Sequence, residues 1–327
     1  MQNSKRQILS LATGVMLVLG ASQACAVTTL KLSHNQSRSH AVHQAMTQFA
    51  DEVKEKTNGE VRIRIYSDSQ LGNQRESIEL MQNGALDIAK SNAAELEAFS
   101  PAYFIFNLPY LFRDKTHYQQ VMNSDIGKEI LNSSQNMGFI GLTYYDAGAR
   151  SFYAKKPIRT PEDLKGLKIR VQPSPSAIAL VKGLAGNPTP LAYGELYTAL
   201  QQGVVDAAEN NIPSFTLSRH SEVTKFFSLD EHTMIPDVLL ISNNSLNKLT
   251  TEQQAIVKKA ALNSSKYMIQ LWEKSEKEER AKAEKQGVEF IHVDKTLFQN
   301  AVNPMYDKMA ETHPELFEMV KRVRKVE

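Results

Sequence analysis

Hydrophobic and polar positions alternate along some stretches of the chain and recur at helical spacing along others. Residues 61–66 (VRIRIY) and 167–171 (LKIRV) alternate apolar and polar side chains, which is the period of a half-buried strand. Residues 41–56 place their apolar side chains on one helical face, and Thr250 caps a helix-compatible stretch at residues 252–286. That stretch would be about 50 Å long as one helix. The pattern predicts interspersed strands and helices.

Shorter patterns complete this prediction. Strands are expected near residues 30–33, 86–92, 139–145, 204–208, 238–243 and 288–293, and helices near residues 73–82, 126–138, 176–184, 193–202, 215–222 and the C-terminus. Thr160 and Pro161 form an N-cap and first-position pair that favours a further helix start, and Asp163 follows three residues after the threonine. This order of elements is typical of an α/β fold.

Two segments of the chain have the same local order. Residues 82–92 and 201–211 each contain a helix end, a glycine, an apolar strand with one aspartate, and then amide side chains. Such units are common in α/β chains, so coincidence and two similar lobes both remain open explanations. No segment rich in Pro, Gly or Ser marks a single boundary, which favours two lobes joined by several crossings of the chain.

Polar side chains follow two of the predicted strands. Arg170 and Gln172 lie at the end of one strand, and Glu209, Asn210 and Asn211 follow the other. In open α/β sheets, ligands bind just past the carboxyl ends of strands. A fixed guanidinium beside carboxamides suits a small polar anion better than it suits catalysis.

Composition and charge describe a globular protein. The 327 residues suffice for two domains, and 42% apolar with 23% charged residues is typical of a folded chain. Without residues 1–26, 36 basic side chains would balance 36 acidic ones. This balance argues against nucleic acid as a partner, because such affinity depends on neutralising phosphates.

The N-terminus has the pattern of a secretory signal. Two basic residues precede an apolar stretch at residues 8–20, and the sequence ACA at residues 24–26 matches a small-x-small cleavage site. We expect residues 1–26 to be a cleaved signal peptide and the mature protein to begin near Val27. Cys25 is the only cysteine, so its lipidation stays open, whereas cleavage after residue 26 would leave no thiol.

The chain lacks the common catalytic motifs. GxxxxGK[ST], GxGxxG, HExxH and GxSxG are all missing from the sequence, so we expect neither a cofactor nor enzymatic activity. His34, His40 and His43 cluster, and the last two are spaced to share a metal. No carboxylate accompanies them at ligand spacing, so we expect no metal. His34, at a strand end, is instead a candidate hydrogen-bond donor to a ligand.

Four motifs together resemble one family of proteins. The segments SQLGNQRE (69–76), LPYLF (108–112), LKGLKIRV (164–171) and the long run NPTPLAYGELYTALQQGVVDAAENN (187–211) are similar to those of the solute-binding receptors of TRAP transporters. The resemblance covers about residues 27–320.

This resemblance implies a two-lobe periplasmic-binding-protein fold. Mixed sheets flanked by helices would form a clamshell, and one long helix would span both lobes. The first lobe would comprise residues 27–147 plus 236–275, and the second lobe residues 148–235 plus 276–327. The family also implies a periplasmic monomer that delivers its ligand to the membrane permease subunits.

The resemblance also implies where a ligand binds in the second lobe. Arg170 matches the main carboxylate-binding arginine of the family, whose planar fork would hold both carboxylate oxygens. Arg150 matches a second family arginine, Asn210 the asparagine that assists the carboxylate, and Tyr193 an aromatic position that packs against the ligand.

The first lobe would recognise the rest of the ligand. The candidates are His34, Asn35, Arg75, Glu76 and Asn92. A carboxylate such as Glu76 would accept hydrogen bonds from sugar hydroxyls and repel a second ligand carboxylate.

The identity of the ligand is predicted from positions at which this chain differs from other receptors of the family. Sialic-acid receptors carry an acidic residue where Asn92 aligns and an asparagine where Pro173 stands, which argues against sialic acid. The chain is more similar to receptors for hexuronates such as D-glucuronate or D-galacturonate. C4-dicarboxylates, keto acids and sialic acid remain alternatives.

Two rival classes also remain. A secreted uronate-processing enzyme would use Glu76, Glu209 and His34 as acid and base, although nothing sets their spacing. A purely structural envelope protein would bind no ligand.

Overall fold

The computed structural model describes residues 27–327, and the predicted signal peptide, including Cys25, lies outside this range. The described strands are β1 (Thr28–Ser33), β2 (Val61–Tyr66), β3 (Ile88–Asn92), β4 (Phe139–Tyr145), β5 (Arg150–Ala154), β6 (Lys168–Val171), β7 (Asn187–Pro190), β8 (Ala207–Asn210), β9 (Phe226–Thr233), β10 (Asp237–Ser242) and β11 (Glu289–Ile291).

Helices separate most of these strands. The described α-helices are α1 (Ala41–Lys56), α2 (Gln74–Gln82), α3 (Ala93–Leu96), α4 (Lys115–Asn123), α5 (Asp125–Asn132), α6 (Pro175–Gly183), α7 (Leu196–Gln202), α8 (Ile212–Leu217), α9 (His220–Val223), α10 (Asn243–Asn247), α11 (Thr251–Lys285), α12 (Lys295–Thr312) and α13 (Pro314–Arg324). Short 3₁₀ turns occur at Pro101–Asn107, Gln135–Met137, Pro161–Leu164 and Tyr193–Glu195. Among residues 27–327, no helix is both long enough and apolar enough to cross a bilayer.

The strands form two mixed sheets. The first sheet has the order β2-β1-β3-β10-β4, with β10 antiparallel to both of its neighbours. The second sheet has the order β11-β9-β5-β8-β6-β7, with β5 antiparallel to β8 and β9. The predicted α/β class with mixed sheets flanked by helices is therefore confirmed.

Each sheet is covered on both faces by apolar side chains. On the first sheet, α1 and α11 cover one face through residues such as Phe49 and Met268, while α2, α5 and the 3₁₀ turn with Phe106 cover the other. On the second sheet, α6 and α12 cover one face, and α7 and α8 cover the other. Helix α13 adds Val320 and Val323 to the cluster that contains Phe106, although the predicted lobe boundaries would give it to the second lobe.

The chain passes between the two sheets three times. Residues 146–149 connect β4 to β5, residues 234–236 connect β9 to β10, and α11 connects the first sheet to β11. Thr250 begins α11 with a capping box, and the helix continues for 35 residues, as the sequence pattern predicted. Its Met268 belongs to the core of the first sheet and its Ala283 to that of the second, so one helix spans both.

The structure departs from the sequence prediction where glycines or prolines act locally. The strand expected at residues 204–208 begins only at Ala207, because Gly203 (φ +72°) ends α7 and Val204 still donates its N–H to Ala199. The helix predicted at Thr160 is a 3₁₀ turn that Gly166 (φ +80°) soon follows. Strands β5, β7 and β9 were not predicted, and the two prolines of β7 fit because β7 lies at a sheet edge.

The repeated segments occupy equivalent places in the two sheets. Asp87 precedes β3 and accepts a hydrogen bond from the backbone N–H of Lys31 in β1 at 2.8 Å. Asp206 precedes β8 and accepts one from the N–H of Lys168 in β6 at 2.9 Å. The repeat therefore has a local structural reason, because each aspartate ties its strand to a parallel neighbour.

Candidate functional site

A narrow cleft lies between the polar strand ends of the two sheets. The first sheet and its helices contribute Asn35, Gln74, Lys90, Asn92 and Asp237, and the second sheet and its flanking loops contribute Arg150, Arg170, Gln172, Tyr193 and Asn210. The enclosed space is about 20 Å³, which is room for about one water molecule. Side chains of the two sheets therefore meet almost directly across the cleft in this conformation.

Arg170 presents an unsatisfied guanidinium to the cleft. The residue lies in β6 and is only 1% exposed. Its Nε donates to the Leu191 carbonyl at 3.0 Å, but neither Nη atom has a hydrogen-bond partner among residues 27–327. Burial lowers the pKa of Arg170, a sign that the cation lacks sufficient compensation. Two parallel N–H donors in this state are suited to a carboxylate.

Arg150 has a different environment, because neighbouring groups occupy all three of its nitrogen atoms. Its Nε and Nη2 donate to the two Glu209 carboxylate oxygens at 2.6 and 2.8 Å. Its Nη1 donates to Asn210 Oδ1 at 3.0 Å. Arg150 therefore neutralises Glu209 and orients Asn210 at the edge of the cleft.

A buried histidine extends this ion-pair network. His232 Nδ1 lies 2.6 Å from Asp230 Oδ2, and its Nε2 lies 3.4 Å from Glu209 Oε2. Burial alone would lower the pKa of His232, but the two carboxylates outweigh it and raise this pKa to about 9. Burial alone would raise the pKa of Glu209, but Arg150 and His232 lower it to about 2. Glu209 is therefore ionised and already paired.

The first-sheet side of the cleft carries an amide and an ion pair. Asn92 caps α3 through Oδ1, which also accepts from Gln172 Nε2 of the opposite side at 3.0 Å. Its Nδ2 donates to Asp237 Oδ1 at 3.1 Å. Lys90 Nζ lies 3.1 Å from Asp237 Oδ2, and both residues are buried. This side therefore offers both donors and acceptors to a ligand.

The structure brings six of the nine predicted site residues to the cleft. Those in its wall are Arg170, Arg150, Asn210, Tyr193, Asn35 and Asn92. Asn35 Oδ1 is buried without a partner among the described residues. Tyr193 places its ring centroid 5.8 Å from the guanidinium carbon of Arg170, and its hydroxyl bonds to Ser218 Oγ at 2.6 Å.

The other three predicted residues lie elsewhere. Arg75 is an exposed side chain that lines a neighbouring cavity and pairs with Glu79 at 3.1 Å. Glu76 is exposed and caps α2, where its Oε2 accepts the N–H of Asn73 at 2.7 Å. His34 uses both ring nitrogens internally, with Nδ1 accepting from Gln36 N–H and Nε2 lying 2.9 Å from His43 Nδ1. None of these residues contributes to the cleft wall.

The histidine that reaches the cleft is His40. Its Nδ1 accepts the N–H of Val42 and so caps α1, while its Nε2 is buried without a partner among residues 27–327. Burial, with the nearby charge of Lys90, lowers the pKa of His40 to about 3, so the ring is neutral. Over the same residues, no group of three His, Cys, Asp or Glu side chains is arranged to hold a metal ion.

Sequence reasoning missed several residues of the cleft wall. Lys90 had a usable signal, because it lies two positions before Asn92 in β3 and therefore on the same face of the strand. Asp237 had no such signal, because it simply precedes the apolar residues of β10 and no motif surrounds it. Trp272 from α11 also reaches the cleft, but the charged run that begins at Glu273 directly after it hides this role.

Comparisons with known proteins agree with this architecture. A family model described as "Bacterial extracellular solute-binding protein, family 7" matches residues 32–313. A Salmonella typhimurium protein named "Uncharacterized protein YiiZ" is 42% identical over 300 residues, which are 91% of this chain and 91% of that protein.

Solved structures are similar along nearly their whole length. A TRAP periplasmic solute binding protein from Xanthobacter autotrophicus, with bound β-D-galacturonate, is 44% identical, has a TM-score of 0.89, and covers 91% of this chain and 100% of its own. One from Anaerococcus prevotii, with bound α/β D-glucuronate, is 37% identical, has a TM-score of 0.89, and covers 91% of this chain and 98% of its own. The family predicted from the motifs is therefore confirmed: the chain belongs to family 7 of the bacterial extracellular solute-binding proteins, as a TRAP periplasmic solute-binding protein.

Proposed function

We propose that this receptor captures a hexuronate, D-galacturonate or D-glucuronate, in the cleft between its two sheets. The observation that carries the proposal is the buried guanidinium of Arg170, whose two Nη atoms have no partner among residues 27–327. The ligand carboxylate would bind these two donors together. The similar receptors from Xanthobacter and Anaerococcus, which hold hexuronates, support the choice of ligand.

The remaining polar groups suit the hydroxyls of a sugar ring. Asn210, oriented by Arg150, would add a hydrogen bond at the carboxylate end. Across the cleft, Asn92 and the Lys90–Asp237 pair would donate to and accept from ring hydroxyls. The aromatic face of Tyr193 would pack against the ring, as sugar-binding sites combine apolar surface with a few placed polar groups.

Binding would require the two sheets to move relative to each other. The cleft is too small for a sugar acid in the described conformation, so the ligand would enter an open form and stabilise a closed one. We propose two lobes, residues 27–147 plus 236–275 and residues 148–235 plus 276–327, that rotate about the short crossings at residues 146–149 and 234–236. Helix α13, at the end of the last span, would move with the first lobe, because Val320 and Val323 pack in its core. The ligand would bridge both lobes in the closed form.

We further propose that the protein acts in the periplasm without chemical turnover. A signal peptide at residues 1–26 would direct export, and the closed receptor would deliver its ligand to the membrane permease subunits. The rival enzymatic role is disfavoured, because its candidate acid and base groups are already bonded. Arg150 holds Glu209 ionised, and Glu76 caps a helix. His34 is buried, and its pKa is lowered to about 2, mainly by burial, so it is a poor base near neutral pH.

One screen tests this proposal. The mature protein is heated with D-galacturonate, D-glucuronate, succinate, pyruvate or sialic acid, and binding of any stabilising ligand is then measured by isothermal titration calorimetry. We expect the largest rise in melting temperature with a hexuronate, and recovery of the ligand unchanged. A stabilisation by succinate or sialic acid alone would refute the hexuronate assignment, and turnover of the hexuronate would refute the receptor role.

A further inference from the structure

A second cavity, which we name the side chamber, adjoins the cleft. It has a volume of about 80 Å³ and shares Asn35, Gln74 and Tyr193 with the cleft wall. Its wall also contains Glu95, which lies in α3 and is only 5% exposed. A ligand too large for the cleft alone would therefore extend into the side chamber.

The Glu95 carboxylate has few partners for a buried acid. Its Oε1 accepts one long hydrogen bond, from Gln74 Nε2 at 3.4 Å. Within residues 27–327, no hydrogen bond to Oε2 is formed, and no Lys, Arg or His nitrogen lies within 4.0 Å of either oxygen. Burial raises the pKa of Glu95, although the charges of Arg170 and Lys90 oppose this rise. Oε2 is not among the fully buried atoms without a partner, so it keeps accessible surface in the wall of the side chamber, where an incoming group can reach it.

Tyr193 connects the side chamber to Arg170. Tyr193 forms part of the walls of both the cleft and the side chamber, and its ring centroid lies 5.8 Å from the guanidinium carbon of Arg170. Arg170 and Glu95 are also close enough for the charge of each to shift the pKa of the other. A ligand with its carboxylate on Arg170 and its ring on Tyr193 would thus direct its other end toward Glu95.

We propose that Glu95 accepts hydrogen bonds from hydroxyl groups at the far end of the ligand and excludes ligands that carry a second carboxylate there. This inference rests on the proposed function, because it takes a ligand carboxylate on Arg170 as its starting point. An ionised carboxylate has only acceptor oxygens, so it suits a hydroxyl and repels another carboxylate. The receptor therefore selects sugar monoacids over sugar diacids. Glu76, the carboxylate predicted from the sequence for this role, is occupied at the start of α2.

The test compares two ligands that differ only at one end. D-Galactonate ends in CH₂OH where galactarate has a second carboxylate, and D-galacturonate serves as the reference ligand. Dissociation constants are measured by calorimetry for the wild type, Glu95→Gln and the control Glu55→Gln, whose carboxylate is exposed on α1. Since like charges at about 4 Å repel strongly in a site of low dielectric, we expect the wild type and the control to prefer galactonate by ~100-fold or more. We expect Glu95→Gln to reduce this preference to within ~10-fold.

Each outcome decides a different question. An unchanged ratio in Glu95→Gln, when wild type and variant both bind galacturonate, overturns the role of Glu95 and leaves the proposed function standing. A wild type that binds none of the three acids overturns the proposed function and the role of Glu95 with it. Glu95→Asp retains the charge, so it should still reject galactarate. Circular dichroism and the ligand-free melting temperature verify that each variant is folded.

Discussion

Replacing Arg170 with alanine should remove most of the affinity for a sugar acid while the fold is retained. In the described conformation both Nη atoms lack partners, so the substitution deletes two potential charge-assisted hydrogen bonds to the ligand carboxylate. Each such bond contributes about 1.5–3 kcal/mol, so a loss of about 3–6 kcal/mol is expected for the two bonds. This corresponds to a dissociation constant raised by about 150- to 25,000-fold.

The ligand-free protein should respond very differently to the same substitution. The deleted cation is buried with both Nη atoms unpaired, so its removal relieves a desolvation cost. This relief offsets the lost bond from Nε to the Leu191 carbonyl and the lost contact with the Tyr193 ring. We therefore expect the free energy of unfolding without ligand to change by no more than about 1 kcal/mol. Arg170→Lys keeps a charge but loses the planar fork, so it should weaken binding by an intermediate factor of about 10–100.

The assay is calorimetric titration with D-galacturonate, together with urea unfolding of each ligand-free variant. Arg219→Ala is the matched control, because Arg219 is exposed and forms its ion pair with Glu222 on the surface. The control should bind as tightly as the wild type. If Arg170→Ala binds within a few-fold of the wild type, or if it binds weakly only because it is unfolded, the carboxylate assignment loses its basis.

Three further predictions concern the network and the crossings that support the cleft. Glu209→Gln should lower the free energy of unfolding by about 3 kcal/mol, because it leaves the buried guanidinium of Arg150 without its counter-charge. His232 has a folded-state pKa of about 9 against an ordinary value of 6.5, so its stabilisation is fully present below pH 6.5 and is lost as the pH rises through 9. The loss should reach about 3 kcal/mol, measured by urea unfolding across that range. Gly148→Ala should cost about 2 kcal/mol or more, since φ is +60° and a Cβ would lie 2.7 Å from Trp272 Nε1.

Each of these predictions has a control. Glu278→Gln changes an exposed carboxylate of α11 and should leave the free energy of unfolding unaltered. If Glu209→Gln and Glu278→Gln change this free energy by the same amount, the buried-pair explanation is contradicted. His232→Asn should remove the stability change between pH 6.5 and 9, and a persistent change would assign it to another group. Gly166→Ala has a similar backbone (φ +80°) but open space around its Cβ, so it should cost only about 1 kcal/mol. Equal costs at the two glycines would exclude contact with Trp272 as a factor.

Sequence patterns predicted the bounds of a helix or strand correctly where its own residues specify where it starts and ends. Helix α1 and strand β2 have the predicted bounds, because their apolar spacing already specifies which face is buried. Helix α11 also matches closely, because Thr250 caps its start and the following residues favour helix. Strand β5 was missed, because a segment buried on both faces has no alternation to detect.

The residues of the candidate site also fall into two groups, those predicted from the sequence and those that only the structure brings to the cleft. The sequence alone predicted the chemistry of one side, because the position of Arg170 at a strand end and the family motifs around it lie in one continuous segment. The tertiary structure decided which other residues lie near it. Glu76 and His34 are occupied by local bonds, while Lys90, Glu95 and Asp237 come from β3, α3 and β10, which are all far from Arg170 in the chain. The physical reason is that a carboxylate or an amide has the same local pattern whether it caps a helix or faces a ligand. Only the packing of the two sheets against each other determines which polar atoms remain unsatisfied between them.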